Sequence, residues 1–218
     1  MRIACIGYRQ WVLNIYDALE KRTNDNYFIC RSKLEFNENS IRKFKPDLIL
    51  FYGWSWIVSE KLLTDYKCLM LHPSPLPKYR GGSPIQNQII AGERKSKVSI
   101  FIMDSEIDAG DIVGQADISL EGTLDSIFER VEFEGIKLTL DIIKNGLKPK
   151  PQDHTQATHF NRRNTADSEI TINEIKYESS EFLYNKIRML ADPYPNAYIK
   201  TKDGKKLIIL SVKIEDES

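Results

Sequence analysis

His72 ends an apolar run and is followed at once by a loop rich in proline and glycine, residues 73–83. The next long apolar run, residues 98–102, gives way to the stretch MDSEIDAGDI, residues 103–112, which holds four acidic side chains. If both runs are strands of one open sheet, adjacent strand ends place a carboxylate beside the imidazole. A carboxylate selects the tautomer of a neighbouring histidine and stabilises the imidazolium. The two stretches therefore predict a pair that moves protons or stabilises an oxyanion.

Other reactive patterns have weaker support. The turn after the first apolar run, GYRQWV, lacks the glycines of the GxGxxG and GxxxxGK[ST] loops that cradle phosphates, which argues against NAD and ATP. Ser74 follows His72 closely, but HPSPLP is not the GxSxG elbow of serine hydrolases. His154 and His159 are five positions apart with no glutamate between them, so we predict no metal site.

Alternating strand and helix patterns surround these residues. Strands that alternate with helices indicate an α/β fold with a doubly wound, mostly parallel sheet. Thr123 is a suitable N-cap, and Gly146 a suitable end, for the long helix predicted between them. Apolar runs predict strands in residues 2–7, 27–32, 47–54, 67–72, 97–104 and 111–120, and helical spacing predicts helices in 11–21, 40–44, 59–63 and from residue 84.

Three segments are predicted along the chain. Residues 1–146 form the core that carries the chemistry, and residues 147–180, which are polar and weakly periodic, form a linker with a surface excursion. Residues 181–218 predict a short helix and then a β-hairpin, because two alternating runs flank Asp203 and Gly204. The apolar strand of that hairpin is an edge able to pair with a second copy, so we expect a homodimer through the C-terminal region.

The composition narrows the class of protein. Lysine plus arginine balance aspartate plus glutamate at 31 each among 218 residues, so we expect no nucleic-acid partner and no attraction to an anionic membrane. The three cysteines are odd in number and lack CxxC spacing, which favours buried thiols in a reducing compartment. The stretch MRIACIGY has no apolar h-region after its single arginine, and no apolar stretch is long enough to span a membrane, so we expect a cytoplasmic protein without a leader.

The stretches HPSPLPKYRGGSPIQ and MDSEIDAGDI resemble the signature of the formyltransferases that use N10-formyltetrahydrofolate, over roughly residues 1–145. The resemblance implies a Rossmann-like core, this folate as co-substrate and an N-formyl transfer reaction. The family's catalytic trio, an Asn-x-His and an aspartate in a D-x-G motif, maps onto Met70, His72 and Asp108. Met70 is a departure, because a thioether cannot donate the hydrogen bond that an asparagine offers to a developing oxyanion. Removing one such donor costs on the order of 10²- to 10³-fold in rate.

The resemblance also implies a set of binding residues. The pterin is expected near Leu76, Ile107 and Asp108. Within FYGWSW, the aromatic residues Tyr52, Trp54 and Trp56 are expected to give a hexose or a base a stacking face, or else to belong to the core or to a dimer interface. Arg80 is expected either to bind a pyrophosphate or to hold its own loop. The complete predicted acceptor site comprises Trp54, Tyr79, Arg80, Gly81, Gly82 and Ser83.

The family contains several kinds of enzyme that differ in their acceptor substrate, and more than one of them remains possible for this chain. The sugar-nucleotide N-formyltransferases, which modify an aminodeoxyhexose for surface polysaccharide (O-antigen) synthesis, resemble the chain furthest along its length. Methionyl-tRNA formyltransferases share Tyr-Arg-Gly and Pro-Ile-Gln, but they append a basic tRNA-binding domain, which we do not expect in a neutral chain of 218 residues. Glycinamide ribonucleotide transformylases carry a glycine-rich phosphate loop that is lacking after the first strand. A noncatalytic folate- or nucleotide-binding homologue and a formate-releasing hydrolase are further alternatives.

Overall fold

The computed structural model describes residues 1–216, in which strands and helices alternate through most of the chain. The strands are β1 (Arg2–Ile6), β2 (Asn26–Cys30), β3 (Leu48–Leu50), β4 (Cys68–His72), β5 (Arg80–Gly81), β6 (Lys95–Ile102), β7 (Ile112–Ser119), β8 (His159–Phe160), β9 (Ala197–Lys200) and β10 (Lys206–Ile209). The α-helices are α1 (Gln10–Arg22), α2 (Glu38–Phe44), α3 (Glu60–Asp65), α4 (Pro84–Ile90), α5 (Leu124–Asn145), α6 (Ile172–Tyr177) and α7 (Ser180–Arg188). Two short 3₁₀ helices cover His154–Gln156 and Thr165–Ser168.

One six-stranded sheet organises the core, in the order β2-β1-β3-β4-β6-β7. The first four of these strands are parallel, whereas β6 and β7 run antiparallel to their neighbours. The predicted α/β fold with a mostly parallel sheet is confirmed. The strand predicted for residues 47–54 is too long, because β3 ends at Leu50 and the chain turns at Gly53, whose φ is +58°.

Helices cover both faces of the sheet, as a doubly wound fold requires. On one face, α1 and α5 bury side chains such as Ile15 and Val131 against β1 and β4. On the other face, Ile41 of α2 and Leu62 of α3 pack into a second apolar cluster. Burial of apolar surface on both faces is the main stabilising contribution to such a core. The sheet is therefore a rigid platform for the loops at its edge.

The long helix α5 begins and ends where the sequence predicts. The Thr123 side chain accepts a hydrogen bond from the Ser126 amide and satisfies one of the free amides of the first turn. Gly146 ends the helix with a φ of +77°, a conformation that glycine adopts without a steric penalty. The C-terminal helix and hairpin are also confirmed, as α7 and the antiparallel pair of β9 and β10.

The polar segment that the sequence predicts to be a linker is attached to the core at several points. Its strand β8 pairs in parallel with β5, so that Gly81 is opposite Phe160. Further along, the Ile170 amide donates to the Tyr198 carbonyl oxygen in β9. This segment therefore packs beside the loop that follows β4. Within residues 1–216, no helix is both long and apolar enough to cross a membrane.

Candidate active site

The strand β4 carries His72 at its C-terminal end, and Met70 precedes it by two positions on the same face. The sequence predicts that the ends of two adjacent strands bring the acidic stretch to His72. Instead β6 is antiparallel to β4, so the end of β6 at Ile102 lies opposite Leu69, at the other end of β4. The carboxylate is close to His72 as predicted, but the predicted meeting of the two strand ends is wrong. The loop of residues 103–111 brings the carboxylate to the histidine by running back along β4.

Asp108 reaches His72 from this loop in a left-handed backbone conformation, with a φ of +54°. Its Oδ2 atom lies 3.6 Å from His72 Nδ1, which is an ion-pair contact and too long for a hydrogen bond. The same Oδ2 accepts a hydrogen bond of 2.8 Å from the Gly81 amide. Among residues 1–216, no group donates a hydrogen bond to the other oxygen, Oδ1. Because the side chain is about one-eighth exposed, Oδ1 is the oxygen available to a substrate proton.

Both ring nitrogens of His72 face hydrogen-bond acceptors. Nε2 lies 2.8 Å from the carbonyl oxygen of Tyr79, and Nδ1 faces the Asp108 carboxylate. A carbonyl oxygen and an ionised carboxylate can only accept, and the imidazolium is the form of histidine with two donors. The surroundings therefore present an acceptor oxygen to each ring nitrogen, with Nδ1 facing the space beside Asp108. This arrangement is able to stabilise a negative oxygen and to transfer a proton.

The pair lies on a cleft of about 840 Å³. Three arginines line it, namely Arg9, Arg162 and Arg163. The Arg9 guanidinium lies 5.0 Å from the ring centre of Tyr194, another lining residue. Burial raises the pKa of Tyr194, while the charges of Arg9 and Arg162 act in the opposite direction. Acidic side chains also line the cleft, at Glu60, Asp104, Glu106 and Asp108.

Unpartnered hydrogen-bond donors are concentrated around this cleft. Five buried side-chain nitrogen atoms in the described part of the chain have no hydrogen-bond partner, and four of them belong to lining residues. A buried donor without a partner costs free energy until an acceptor reaches it. The cleft is therefore suited to a ligand rich in acceptor oxygen atoms. The four residues are Trp11, Trp54, Gln86 and Arg163.

The structure brings together most of the predicted site residues. Ile107 is largely exposed on the loop that carries Asp108, and Trp54 is 6% exposed in contact with Trp56. Ser83 has a left-handed φ of +50°, and its hydroxyl accepts a hydrogen bond from the Arg163 amide. The predicted residues that line the cleft are Trp54, Met70, His72, Gly81, Gly82, Ser83, Ile107 and Asp108.

Three predicted binding residues do not line the cleft. Leu76 is 4% exposed, and its carbonyl oxygen accepts a hydrogen bond from Gln115. The Tyr79 ring stacks on Phe160, and its hydroxyl donates to Glu93. Burial, followed by the nearby Glu93 carboxylate, raises the pKa of Tyr79 to about 12.

Arg80 is the third of these residues. It is buried at 3% exposure, and its guanidinium bonds to Gln152. Of the two roles that the sequence left open for Arg80, the structure shows the one that holds its own loop. Tyr52, considered with Trp54 as a stacking residue, is also a core residue, because it is fully buried and its hydroxyl hydrogen-bonds to that of Thr139.

Sequence reasoning missed several residues around the site. Gln152, Arg162 and Arg163 belong to the predicted linker, and Gln86 belongs to α4. Pairing of residues 80–81 with residues 159–160 brings the linker to the site, and no local pattern in the sequence reveals that pairing. His154 and His159 are exposed, and no metal-binding group of three His, Cys, Asp or Glu side chains is present in residues 1–216.

The fold and the site are those of a Rossmann-like α/β protein with a contact between a histidine and an aspartate in an open cleft. Residues 2–143 match the family model described as formyl transferase. The chain therefore belongs to the formyl transferase family, as the two sequence motifs predict.

The chain is similar to several individual proteins of known sequence or structure. The methionyl-tRNA formyltransferase of Rickettsia prowazekii is 35% identical over 171 residues, which cover 76% of this chain and 55% of that protein. The chain spans about half the length of the curated relatives it matches. The structure of a methionyl-tRNA formyltransferase from Clostridium thermocellum superposes with a TM-score of 0.84 at 31% identity, over 96% of this chain and 97% of that one. A sugar N-formyltransferase from a Shewanella species shares the fold, with a TM-score of 0.77 at 18% identity over 99% of each chain.

Proposed function

We propose that the protein transfers a formyl group from N10-formyltetrahydrofolate to the amino group of a nucleotide-linked aminodeoxysugar. The observation that carries this proposal is the contact between His72 and Asp108 in a cleft lined by three arginines and several unpartnered donors. A primary amine attacking a formyl carbon needs a proton acceptor and a donor for the oxyanion. The pair supplies both, and the cleft supplies cationic and donor groups for a diphosphate.

In the proposed reaction, the amine nitrogen forms a bond to the formyl carbon and gives a tetrahedral intermediate. His72 Nδ1–H stabilises the oxyanion, and Asp108 Oδ1 takes the proton that the amine loses. Collapse of the intermediate breaks the bond between the carbon and N10 of the folate, and N10 receives the proton that Asp108 took from the amine. The products are the formamide and tetrahydrofolate. Alignment of the two substrates supplies several kcal/mol more of the rate enhancement.

Met70 affects which groups are able to stabilise the oxyanion in this mechanism. Its thioether lines the cleft two positions before His72 and has no hydrogen to donate. The Gly81 and Gly82 amides are already bonded, to Asp108 and to the Phe160 carbonyl oxygen. The oxyanion is therefore stabilised chiefly by His72 in this chain. Accordingly, we expect His72→Ala to lower kcat more in this chain than the same substitution lowers it in an enzyme that has a second donor to the oxyanion.

The folate is proposed to bind along the aromatic and apolar part of the cleft. This part contains Trp54, Trp56, Val58 and Leu63 from the segment after β3, together with Ile107. Trp54, which the sequence assigns to the acceptor site, is proposed here to face the folate instead, because its Nε1 is buried without a partner and suits an acceptor atom of a pterin. Aromatic side chains offer a flat apolar face to a ring of this kind.

The acceptor is proposed to bind near Arg9, Gln86 and Arg163. Guanidinium groups match the oxygen geometry of phosphates, and they stay charged at physiological pH. The Arg163 Nε and Gln86 Nε2 atoms are both buried donors without partners. Two phosphates of a nucleotide-linked sugar would satisfy such donors.

Methionyl-tRNA is a second candidate acceptor. The relatives from Rickettsia prowazekii and Clostridium thermocellum, at 35% and 31% identity, carry that name. The same pair of side chains suits the amine of an aminoacyl group, so the chemistry does not distinguish the two acceptors. The choice of a sugar nucleotide rests on the neutral charge of the chain and on the concentration of cationic and donor groups inside a cleft.

The test is a comparison of acceptors with one preparation of the protein. N10-formyltetrahydrofolate is mixed with a panel of dTDP-, UDP- and GDP-linked aminosugars or with methionyl-tRNA, and products are identified by mass spectrometry. A formylated sugar nucleotide supports the proposal. If only methionyl-tRNA is formylated, the proposed sugar-nucleotide acceptor is wrong and methionyl-tRNA is the acceptor. Tetrahydrofolate and formate without any formylated acceptor indicate a hydrolase. Folate binding without any product favours a noncatalytic homologue.

We also propose a homodimer through the C-terminal hairpin. The strand β10 and the residues after it expose a run of large apolar side chains at Leu207, Ile208, Leu210, Val212 and Ile214. Large exposed apolar patches commonly mark association surfaces. Sedimentation equilibrium should give twice the chain mass, and Leu210→Lys should shift it toward the monomer. A monomeric mass for the unmodified protein would refute this proposal.

A further inference from the structure

Gln152 is buried beside the active site although it belongs to a polar, proline-rich stretch of sequence. Its side chain is 5% exposed, and its amide makes four hydrogen bonds. Nε2 donates to the carbonyl oxygens of Asp108 and Gly110, at 2.9 and 2.7 Å. Oε1 accepts from Arg80, at 2.7 Å from Nη2 and 3.3 Å from Nε. One amide group thus connects two separate loops.

The first of these loops holds Asp108 in a left-handed backbone conformation, with a φ of +54°. A left-handed φ in a residue other than glycine costs about 1–2 kcal/mol, although aspartate tolerates it better than most residues. The loop is also constrained at Gly110, where its backbone approaches that of Ile102 so closely that an added Cβ would lie 1.8 Å from the Ile102 carbonyl oxygen. Two N–H groups of Gln152 satisfy the carbonyl oxygens on either side of Ala109. They keep the loop in the form that aims the carboxylate at His72.

The second loop holds the other contacts of the pair. The Arg80 guanidinium is buried, and no carboxylate lies within 4 Å of it in residues 1–216. Its main acceptor is Gln152 Oε1, with His154 Nδ1 more distant at 3.4 Å. On either side of Arg80, the Tyr79 carbonyl oxygen bonds to His72 and the Gly81 amide bonds to Asp108. A shift of Arg80 would move both of these contacts.

We propose that Gln152 is a positioning residue for formyl transfer, which clamps the Asp108 loop to the Arg80 loop so that His72 and Asp108 keep their contact. This inference rests on the proposed function, because its kinetic consequence requires a transfer reaction. Gln152 does not touch the reacting atoms. Its effect is transmitted through the backbone at residues 79–81 and 108–110.

The test is Gln152→Glu, which separates the two halves of the clamp. A glutamate keeps an acceptor for Arg80 but replaces the donor group with an oxygen that faces two carbonyl oxygens. Displacement of a reacting group by about 1 Å costs on the order of 10²-fold in rate, so we expect that loss in kcat with the KM of both substrates changed less than about threefold. The matched control is Gln156→Glu, which makes the same charge change at an exposed position four residues further on.

A double-mutant cycle distinguishes positioning from general destabilisation. In an Asp108→Asn background, Gln152→Glu should lower kcat by less than about threefold further, because its effect acts through Asp108. A further 10²-fold loss in that background would overturn the proposal, as would an unchanged kcat for Gln152→Glu alone. Arg80→Lys tests the contact between Gln152 and the Arg80 loop. A fall in kcat for this variant supports the clamp. A rise in the KM of the acceptor alone would identify Arg80 as a substrate ligand instead.

Hydrogen exchange gives a readout that does not depend on activity. Gln152→Glu should speed amide exchange in residues 79–82 and 103–112 and leave the centre of α5 unchanged. If the unmodified protein transfers no formyl group but this pattern appears, the clamp stands and the proposed function fails. If transfer is normal and exchange in both loops is unchanged by the substitution, the clamp fails and the proposed function stands.

Discussion

Asp108→Asn is the sharpest test of the proposed chemistry, because it changes one atom of the site and little of its shape. Asparagine tolerates a left-handed φ at least as well as aspartate, so the backbone at +54° is retained. The asparagine oxygen is able to accept the bond from the Gly81 amide that Oδ2 accepts now. The atom at the position of Oδ1 then becomes an NH₂ group. It has no lone pair available for the proton of the attacking amine.

The magnitude follows from the two contacts of the carboxylate. The Gly81 bond changes from charge-assisted to neutral, which costs about 1 kcal/mol of stability. General acid–base catalysis contributes 10²- to 10⁴-fold, so kcat should fall by a factor in that range. The ion-pair contact with His72 at 3.6 Å is lost at the same time, which weakens the donor to the oxyanion. Binding of the folate should change little, because its proposed aromatic wall is intact.

The assay is steady-state transfer from N10-formyltetrahydrofolate to the best acceptor, with the formylated product measured by mass spectrometry. Thermal unfolding of each variant verifies that the fold is retained. The control is Asp141→Asn, which makes the same change on the exposed side of α5, away from the cleft. A kcat for Asp108→Asn within threefold of the unmodified protein would refute the assigned role of this carboxylate.

Three further predictions concern stability and reactivity. Gly110→Ala should lower the free energy of unfolding by more than about 2 kcal/mol in chemical denaturation, since its Cβ would collide with the Ile102 backbone; an unchanged midpoint would contradict this. All three cysteine thiols are buried, and burial raises the pKa of Cys68 to about 12, so a thiol reagent at about pH 8 should label the native protein slowly and the unfolded protein fast. Although burial opposes ionisation, hydrogen bonds from Lys186 and Thr171 keep the pKa of Glu174 below its ordinary 4.5. Its contribution is therefore present above about pH 4.5 and lost as the pH falls through the lower folded-state pKa, so Glu174→Gln should cost about 2 kcal/mol at neutral pH and less near pH 3; an equal cost at both values would contradict the ion pair.

Local sequence patterns were sufficient for much of the core. The apolar periods of α1 and α5, the cap at Thr123 and the stop at Gly146 depend on neighbours within a few residues, and the structure retains them. The turn at Asp203 and Gly204 likewise specified the terminal hairpin. Periodicity overestimated the strand after residue 47 most, because buried aromatic residues such as Phe51 continue the apolar pattern beyond the sheet.

The site itself depended on contacts between distant parts of the chain. Residue types and motif resemblance singled out His72 and Asp108, but the antiparallel direction of β6 is a property of the assembled sheet. Arg80 likewise lies inside the protein and not in the cleft, because it bonds to Gln152, which is distant in the sequence.

Local periods and short motifs were therefore sufficient to predict the α/β alternation and the family, and they singled out His72 and Asp108 as the proposed acid–base pair. The loop that carries Asp108 to His72, and the residues of the polar segment that reach the cleft, depend on the assembled fold. A stretch that lacks periodicity leaves no local signal of where it docks. Its polar side chains acquire partners, as Gln152 does, only when the main chain of another loop presents buried groups that need hydrogen bonds.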